Sequence, residues 1–344
     1  MRLINLVSFA ASVLAASRTT APSGSIVVAK SGGDYSTISK AIAALSTTTT
    51  STQTIFIEAG TYNEQVYIPK LAGELIIYGQ TEDDTSYSSN TVTITYNLSL
   101  ASVSDDDETA TLRNYAANSR VYNINVKNTY GKGHQALALS AYNTEQGYYG
   151  CQFTGFQGPL CSLPTYEHAL TGHADTVLAE TGYQVYGKCY IEGAIDFIFG
   201  QTGNAWFDSC DIGVLANSEG TITAQGRPSS SDSGYFVINE STVSAASGAD
   251  VTEGTFYLGR PWTEYARVVF QKTTLSDVIN SAGWIEWSSS EPNTEDVLFG
   301  EYDNSGDGAS GTRASFAEKL SSAVSISSIL GSGYSSWVDT SYLA

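Results

Sequence analysis

Residues able to do chemistry are concentrated in two short motifs. IEGAIDFIFG, residues 191–200, places Asp196 inside a strongly apolar run that is typical of a β-strand. A lone carboxylate there is costly to remove from water unless a cation or hydrogen-bond donors face it. FYLGRPWTEYARVVF, residues 256–270, contains Arg260, whose guanidinium can hold a carboxylate in a fixed fork. The structural alternative is an Asp at the corner of a coil, bonded to backbone amides.

Other side chains near these motifs suit a carbohydrate cleft. Trp262 lies two residues after Arg260, so both project from the same face of an extended strand, and an indole can stack on a sugar ring. HQALALS, residues 134–140, presents the amide of Gln135 at the head of an apolar strand, and GFQ ends at a second amide, Gln157. The alternative for Arg260 and Trp262 is an ordinary solvated face.

Histidine and cysteine supply little chemistry in this chain. The sequence has 3 His and 4 Cys, and His134 is the one His outside residues 158–174, so a Ser-His-Asp triad is poorly supplied. None of the Cys lies in a C-x2-C pair, and disulfide pairing cannot be deduced from sequence. DDDE, residues 105–108, lacks the alternating ligand spacing of a calcium loop and is interpreted as a solvated loop. We therefore expect neither a metal nor a cofactor.

Short β-rich segments recur to the end of the chain and must position these residues. Gly, Asn, Asp and Ser separate them, and only DYSTISKAIAAL, residues 34–45, has helical spacing. Strands this short and numerous, without hairpin dipeptides between them, favour a solenoid over a sandwich. The predicted fold is all-β, a single-stranded parallel β-helix with a short N-terminal helix.

The Cys positions mark an irregular interval in the repeat. Cys189 and Cys210 occupy similar frames, GKCYI and DSCDI, and the 21 residues between them are a plausible length for one coil. Cys151 precedes Cys189 by 38 residues, and removing the 17 residues 158–174 restores the interval of 21. This segment, GPLCSLPTYEHALTGHA, is predicted to be an insertion into one coil. The three Cys are predicted to stack on successive coils as small buried side chains.

The N-terminus and the composition predict a secreted protein. Residues 1–17 have the order of a secretory signal peptide, with a cationic residue, a short apolar run and small residues at the end. Residues 18–344 are predicted to form one domain, since no linker divides them. A formal charge of −19 argues against nucleic acid and anionic membranes as partners. Asn97 and Asn239 lie in N-x-S sequons and are candidate glycosylation sites.

With residues 158–174 removed, Gln157 joins Asp175 and the sequence resembles the fungal pectin methylesterases. The resemblance runs from about residue 25 to residue 343 and rests on motifs in a fixed order: AGTYNEQVYI, HQALALS, the split GFQ…DTVLAETGYQ, IEGAIDFIFG, ITAQGR and LGRPW. It implies a right-handed parallel β-helix. The implied reaction hydrolyses galacturonosyl methyl esters of pectin to pectate and methanol.

The resemblance implies an aspartyl ester hydrolase. Asp196 falls on the family's nucleophile, and Arg260 falls on the arginine that holds it. Asp175 falls on the general acid/base, which protonates the leaving methoxide and then deprotonates the water that opens the acyl-enzyme anhydride. These two carboxylates need opposite protonation states, which a cation beside one and a less polar setting around the other would provide.

Three further residues complete the implied site. Gln157 and Gln135 fall on the amides that bind the oxyanion and the substrate, and Trp262 falls on the aromatic residue that lines the sugar cleft. The implied partner is methyl-esterified homogalacturonan, bound by a monomer outside the cell during the degradation of plant cell-wall pectin.

Other functions remain open on the residues alone. A glycoside hydrolase would use two carboxylates but has no need of two amide donors, and a pectate lyase would want an acidic calcium cluster that does not stand out. If residues 158–174 are translated, they separate Gln157 from Asp175 and favour a catalytically impaired, pectin-binding β-helix. One hypothesis for the segment is a short in-frame retained intron, because back-translation permits a splice donor at Gly158 and an acceptor at the Ala174–Asp175 junction; the alternative is a real loop insertion.

Overall fold

The fold is a parallel β-helix built from three sheets. The computed structural model describes residues 16–131, 133–155 and 175–344. Predictions that fall on residues 1–15, on Gln157 and on the segment 158–174 lie outside the described residues. Along the described chain, most coils contribute one strand to an 8-stranded sheet, then one to a 7-stranded sheet and then one to an 11-stranded sheet. Neighbouring strands in each sheet pair in parallel. The predicted all-β parallel helix is confirmed.

The bounds of the strands follow the three sheets. In spatial order, the 11-stranded sheet contains Ile26–Val28, Gln53–Ile57, Leu75–Gly79, Ser119–Tyr122, Gln146–Tyr149, Thr181–Gly187, Thr202–Asp208, Tyr235–Asn239, Arg267–Gln271, Leu298–Tyr302 and Ala317–Lys319. The 8-stranded sheet contains Thr274–Leu275, Thr242–Ala245, Asp211–Val214, Tyr190–Gly193, Gln152–Thr154, Ile124–Asn128, Val92–Tyr96 and Gly60–Asn63. The 7-stranded sheet contains Phe256–Pro261, Gly220–Gln225, Ile195–Gly200, Val177–Ala179, Leu139–Ala141, Leu112–Asn114 and Val66–Ile68.

Alternation along each strand decides which side chains fill the interior. In the 7-stranded sheet, aligned positions of successive coils carry buried aliphatic side chains, so each coil covers the apolar surface of the next. The members of this row are Val66, Leu112, Leu139, Val177 and Ile198. Residues one position along these strands point outward and are available to a site on the outer face.

Several segments that look continuous in the sequence are two strands joined at a sharp corner. RVYNINVKNT, residues 120–129, includes the end of the strand Ser119–Tyr122 and all of Ile124–Asn128, and the residue between the two strands, Asn123, has φ 53°. Lys188, Ser209 and Glu240 occupy the same kind of corner with φ 51°, 52° and 46°. Single residues in the left-handed region redirect the chain from the 11-stranded to the 8-stranded sheet without a longer turn.

The predicted cysteine stack is confirmed. Cys151, Cys189 and Cys210 are buried free thiols on successive coils, and the backbone N–H groups that follow Cys189 and Cys210 bond to the carbonyls of Cys151 and Cys189. Small hydroxyl side chains continue the row, because Ser241 accepts a 3.0 Å hydrogen bond from the backbone N–H of Cys210. Each of these small side chains directly follows a corner residue in the left-handed region, as Cys189 follows Lys188 and Cys210 follows Ser209.

Coil length varies more than the sequence suggests. Gln184 pairs with Ala205 on the next coil, 21 residues later in the chain. Leu75 pairs with Ser119 on the next coil, 44 residues later. The coil that contains the segment 158–174 carries Gln146 to Gln184, 38 residues on. Register keeps the sheets aligned, and the loops between strands absorb the difference in length.

Helices are few and lie at the periphery. The predicted N-terminal helix is confirmed as Ile38–Ala43, with Thr37 as its N-cap. The α-helices Asp106–Thr109 and Ile326–Leu330 have no helical period in the sequence because they are only 4 and 5 residues long. Single 3-10 turns occur at Tyr87–Ser89, Asp307–Ala309, Tyr334–Ser336 and Thr340–Tyr342. Within the described ranges, helices of a length and hydropathy that could cross a membrane are absent.

The interpretation of DDDE as a solvated loop is wrong for Asp107. This side chain is buried, accepts a 3.0 Å hydrogen bond from Nε of Arg113 and receives further bonds from Tyr115 and Ser140 at 2.9 and 2.6 Å. A cation and two hydroxyl groups offset the cost of burying the carboxylate. The network anchors the Asp106–Thr109 turn against the outer face of the 7-stranded sheet.

The aromatic stack inside the helix generates a stability prediction. The ring of Phe207 lies 4.4 Å from that of Tyr186, nearly parallel to it, and both are fully buried. Phe207→Ala should lower the free energy of unfolding by about 3–5 kcal/mol, because it removes ring contacts and leaves a cavity. Urea unfolding followed by intrinsic fluorescence measures this. Tyr183→Ala is the control at an exposed position, and a comparable loss in both variants would contradict the assignment of the stack as core.

Candidate active site

The site lies on the outer face of the 7-stranded sheet and depends on an irregularity in one strand. The register between Ile195–Gly200 and Gly220–Gln225 shifts between Ile195 and Ile198. Asp196, inside this shift, has φ 50°, in the left-handed region that a non-glycine residue rarely occupies. A bulge of this kind turns a side chain away from the ordinary pleat, and here it aims the Asp196 carboxylate across the sheet.

Arg260 faces this carboxylate from two strands away. Nε of Arg260 donates to Oδ1 and Oδ2 of Asp196 at 3.0 and 3.2 Å, and Nη2 donates to Oδ2 at 2.6 Å. Asp196 is 5 % exposed, whereas Arg260 is half-buried. The fork fixes the orientation of the carboxylate and offsets the cost of removing its charge from water.

Thr221 completes the support of Asp196, and sequence analysis did not select this residue. Its hydroxyl donates to Oδ1 of Asp196 at 2.6 Å and accepts from the backbone N–H of Asp196 at 3.1 Å. Thr221 is the register partner of Ile195 on the neighbouring strand, 25 positions along the chain from Asp196. The motif ITAQGR begins one residue later, but only the strand register brings the hydroxyl to the carboxylate.

Trp287 is a second residue that sequence analysis missed. The guanidinium carbon of Arg260 lies 4.3 Å from the centre of the Trp287 ring, and the Trp287 carbonyl accepts from Nη1 at 3.4 Å. An aromatic face beside a guanidinium is favourable through the ring quadrupole. Trp287 therefore restricts Arg260 from the side away from Asp196.

Asp175 provides the second carboxyl group of the site. It is 4 % exposed at the start of the strand Val177–Ala179, next to the strand of Asp196. Burial raises the pKa of Asp175 well above its ordinary value, the negative charges of Asp196 and Asp106 raise it further, and Arg260 partly opposes them. Asp175 therefore favours its protonated form beside a carboxylate that is held by a guanidinium and a hydroxyl group.

The remaining predicted residues lie around this centre. Gln135 is half-buried ahead of the strand Leu139–Ala141, and its backbone carbonyl accepts a 3.0 Å hydrogen bond from the backbone N–H of Leu100. Trp262 packs against Phe199 with ring centres 6.2 Å apart. The structure thus brings Asp175, Asp196 and Arg260 together and puts Trp262 on the same face, while Gln157 lies outside the described residues.

A groove beside the carboxylates could hold part of a chain-like ligand. It has a volume of about 270 Å³ and is lined by aliphatic, aromatic and acidic side chains in similar number. Its lining consists of Leu100, Ser104, Asp105, Asp106, Tyr142, Leu178, Glu180, Phe199, Gln201 and Trp262. Aromatic and aliphatic side chains with a few polar groups are typical of carbohydrate and small-molecule sites.

Two sequence predictions concern groups outside the cleft. Asn97 is exposed and accessible to a glycan, whereas Asn239 is 6 % exposed. Nδ2 of Asn239 donates to Asp208 at 2.9 Å, and Oδ1 accepts from Gln271 at 2.7 Å, which argues against Asn239 as a glycan acceptor.

Over residues 16–131, 133–155 and 175–344, groups of three or more His, Cys, Asp or Glu placed to hold a metal ion are absent.

The fold and the site together define a parallel β-helical protein with two buried carboxyl groups, one of them held by a guanidinium, on one outer face. The Pectinesterase family model matches residues 25–169 and 162–321, and its two matches meet inside the segment 158–174. A pectinesterase of Aspergillus niger is 62% identical over 98% of this chain and 97% of its own length, and one of Aspergillus aculeatus is 61% identical over 97% of each. The chain belongs to the pectinesterase family and is a carboxylic ester hydrolase.

Solved structures agree with this assignment. A pectin methylesterase from Aspergillus niger superposes with a TM-score of 0.84 at 41% identity, covering 95% of this chain and 100% of that chain. The carrot pectin methylesterase gives a TM-score of 0.78 at 27% identity, covering 94% and 98%. The β-helix described above is therefore the fold of this family.

Thr221 provides a test of the site geometry. Thr221→Val keeps the shape but removes the hydroxyl that donates to Asp196, so kcat for methyl ester hydrolysis should fall by roughly tenfold or more. Methanol release measures kcat, and circular dichroism checks the fold. Thr242→Val, on the exposed face of the 8-stranded sheet, is the matched control. Equal rates in the two variants would show that the hydroxyl has no part in the reaction.

Proposed function

We propose that this protein is a secreted pectin methylesterase that hydrolyses galacturonosyl methyl esters through an Asp196 acyl-enzyme. The observation that carries the proposal is the placement of two buried carboxyl groups in different surroundings. Asp196 is held by Arg260 and Thr221, while burial and neighbouring negative charge raise the pKa of Asp175 and so favour its protonated form. One group suits a nucleophile and the other an acid.

The first half of the reaction forms the acyl-enzyme. An Asp196 oxygen attacks the ester carbonyl carbon, and the carbonyl oxygen takes the electron pair as a tetrahedral oxyanion. When the oxyanion collapses, the bond from carbon to methoxide breaks and Asp175 gives its proton to the methoxide oxygen. Methanol leaves, and an anhydride links Asp196 to the galacturonosyl carboxyl group.

The second half regenerates the enzyme. Asp175, now ionised, removes a proton from water as the water oxygen attacks the anhydride, and cleavage of the anhydride returns Asp196 as a carboxylate. The immediate product is galacturonic acid, which loses its proton to the solvent as galacturonate, and Asp175 again carries a proton. Gln135 and Gln157 are proposed to donate to the oxyanion, on the resemblance of their motifs to the family's amide pair.

The proposed substrate is methyl-esterified homogalacturonan. Trp262, Phe199 and Leu178 provide apolar surface beside the carboxyl groups, on which sugar rings and methyl groups can pack. The net charge of −19 opposes binding to nucleic acid or an anionic membrane. We further propose that the enzyme acts outside the cell as a monomer in the degradation of plant cell-wall pectin, with residues 1–17 removed as a signal peptide.

Asp196→Asn tests the nucleophile. The amide is nearly isosteric but cannot form the anhydride, so methanol release from methyl-esterified pectin should fall by more than about 10³-fold. Chain length of the pectin, followed by mass spectrometry, should stay constant in the wild-type reaction, which separates the esterase from a hydrolase or lyase. Asp250→Asn, at an exposed position, is the control. Normal turnover by Asp196→Asn would sink the assignment.

The segment 158–174 is proposed to be foreign to the active enzyme. It lies between the positions assigned to the oxyanion amide and the acid, where a displacement of about 1 Å can cost on the order of 100-fold in rate. The two matches of the family model that meet inside it support this proposal. The alternative is a translated segment that leaves a pectin-binding β-helix with little turnover.

A deletion variant separates these possibilities. Removing residues 158–174 joins Gln157 to Asp175, and kcat/KM should rise by roughly 100-fold over the full chain if the segment is foreign. Methanol release from the two proteins, made in parallel, provides the measurement, and a transcript read across the locus should lack the corresponding codons. A full chain that is as active as the deletion variant, with those codons in its dominant transcript, would establish the segment as a genuine loop.

A further inference from the structure

Glu180 occupies a wall of the groove in line with the aromatic side chains. In the 7-stranded sheet Ala141 pairs with Ala179, and Leu178 pairs with Phe199, so the residues that directly follow these three strands continue the alignment as a row. This row contains Tyr142, Glu180 and Gln201, and all three line the groove. Trp262 occupies the corresponding position after the strand Phe256–Pro261. Glu180 therefore places a carboxyl group between Tyr142 and Gln201 in the row that also leads to Trp262.

The structure partly removes the side chain of Glu180 from solvent. Its side chain is half-buried, and Oε2 accepts a 3.2 Å hydrogen bond from the backbone N–H of Gln201. The pKa of Glu180 is raised to about 7. Burial is the main cause, the hydrogen bond from Gln201 lowers the pKa, and the negative charge of Asp105 raises it. Reduced solvent contact also strengthens any interaction between Glu180 and a charge on a ligand.

The groups that face Glu180 are acidic or phenolic. Asp105 and Asp106 line the groove from the segment ahead of the strand Leu112–Asn114, and Tyr142 lines it from the neighbouring coil. Burial and the charge of Asp105 raise the pKa of Asp106, whose Oδ1 is buried and makes no hydrogen bond. Within the described lining of this groove, Arg and Lys side chains are absent. A ligand carboxylate here would meet negative charge without a compensating cation.

We propose that Glu180 is a specificity-determining residue, which makes this groove accept a galacturonosyl residue whose carboxyl group is methyl-esterified and repel one whose carboxylate is free. The inference rests on the proposed function, since it concerns the sugar next to the one that reacts. A methyl ester is uncharged and can pack against the side chains of Leu178 and Phe199, which line the groove. A free carboxylate keeps its charge, and Glu180 opposes its desolvation.

The selectivity has a defined pH dependence. A free galacturonate stays ionised from about pH 5 upward, because ordinary carboxyl groups titrate near pH 4. Glu180 has a raised pKa, so it is mostly neutral below about pH 7 and mostly charged above it. Repulsion therefore requires the higher pH. The enzyme should discriminate weakly against de-esterified neighbours in acid and strongly in mild alkali.

Binding of two oligogalacturonides tests the role of Glu180. One probe is fully methyl-esterified and the other is the free acid of the same length, and Kd is measured by calorimetry at about pH 5 and about pH 9. The Asp196→Asn background prevents consumption of the ester. At the higher pH, adding Glu180→Gln should reduce the preference for the ester by on the order of tenfold, and the increase of that preference between the two pH values should become smaller. The Gln side chain can still accept the bond from Gln201.

Matched controls make the outcome specific to the groove. Glu253→Gln removes the same charge from an exposed site, so it corrects for the general effect of net charge on an anionic ligand. An unchanged ester preference in Glu180→Gln, or a change matched by Glu253→Gln, would overturn the inference. The Asp196→Asn protein still carries Glu180, so its preference for the ester should increase with pH. A preference that does not change with pH in that protein would also overturn the inference.

Failure of the proposed function gives a different signature. Methanol release by the wild-type chain is measured separately on the methyl-esterified oligomer. A chain that prefers the ester in binding but releases no methanol contradicts the esterase and leaves the charge selection standing. A chain that releases methanol but binds both oligomers with the same pH-independent ratio contradicts only the role of Glu180.

Discussion

The parallel register of the 7-stranded sheet is the constraint on which the site depends. It aligns the strands of Asp196, Thr221 and Arg260 side by side, although Asp196 and Arg260 are 64 positions apart in the chain. A slip of one residue in either pairing would reverse which side chains face outward and separate the guanidinium from the carboxylate. The buried aliphatic rows inside the helix prevent that slip, because it would expose them to water.

The Asp196 region shows how the β-helix accommodates an unfavourable conformation. A left-handed backbone and a buried charge each cost on the order of 1–3 kcal/mol or more. The Arg260 fork, the Thr221 hydroxyl and the paired strands on both sides hold the residue in place despite that cost. A rigid solenoid suits this purpose, since strain at one bulge is distributed over coils that remain regular.

Charge is arranged unevenly around the cleft. Asp196 has a cation and a hydroxyl group, whereas Asp175, Asp106 and Glu180 lie where burial and neighbouring carboxyl groups favour their protonated forms. One outer face therefore presents carboxyl groups in distinct electrostatic settings within a few strands. This arrangement links Asp175, the proposed acid, to the acidic wall of the groove, since Asp106 influences the pKa of Asp175 and also lines the groove.

The sequence by itself determined the fold class, the N-terminal helix, the cysteine stack and the motifs of Asp175, Asp196 and Arg260, because these follow from local period, spacing and family motifs. Only the tertiary structure decided that Thr221 supports Asp196 and that Glu180 faces a groove. Those relationships join residues on different coils, whose loops vary in length, so spacing along the chain carries no information about them. Burial of Asp107 was likewise set by partners on other strands rather than by the local acidic run.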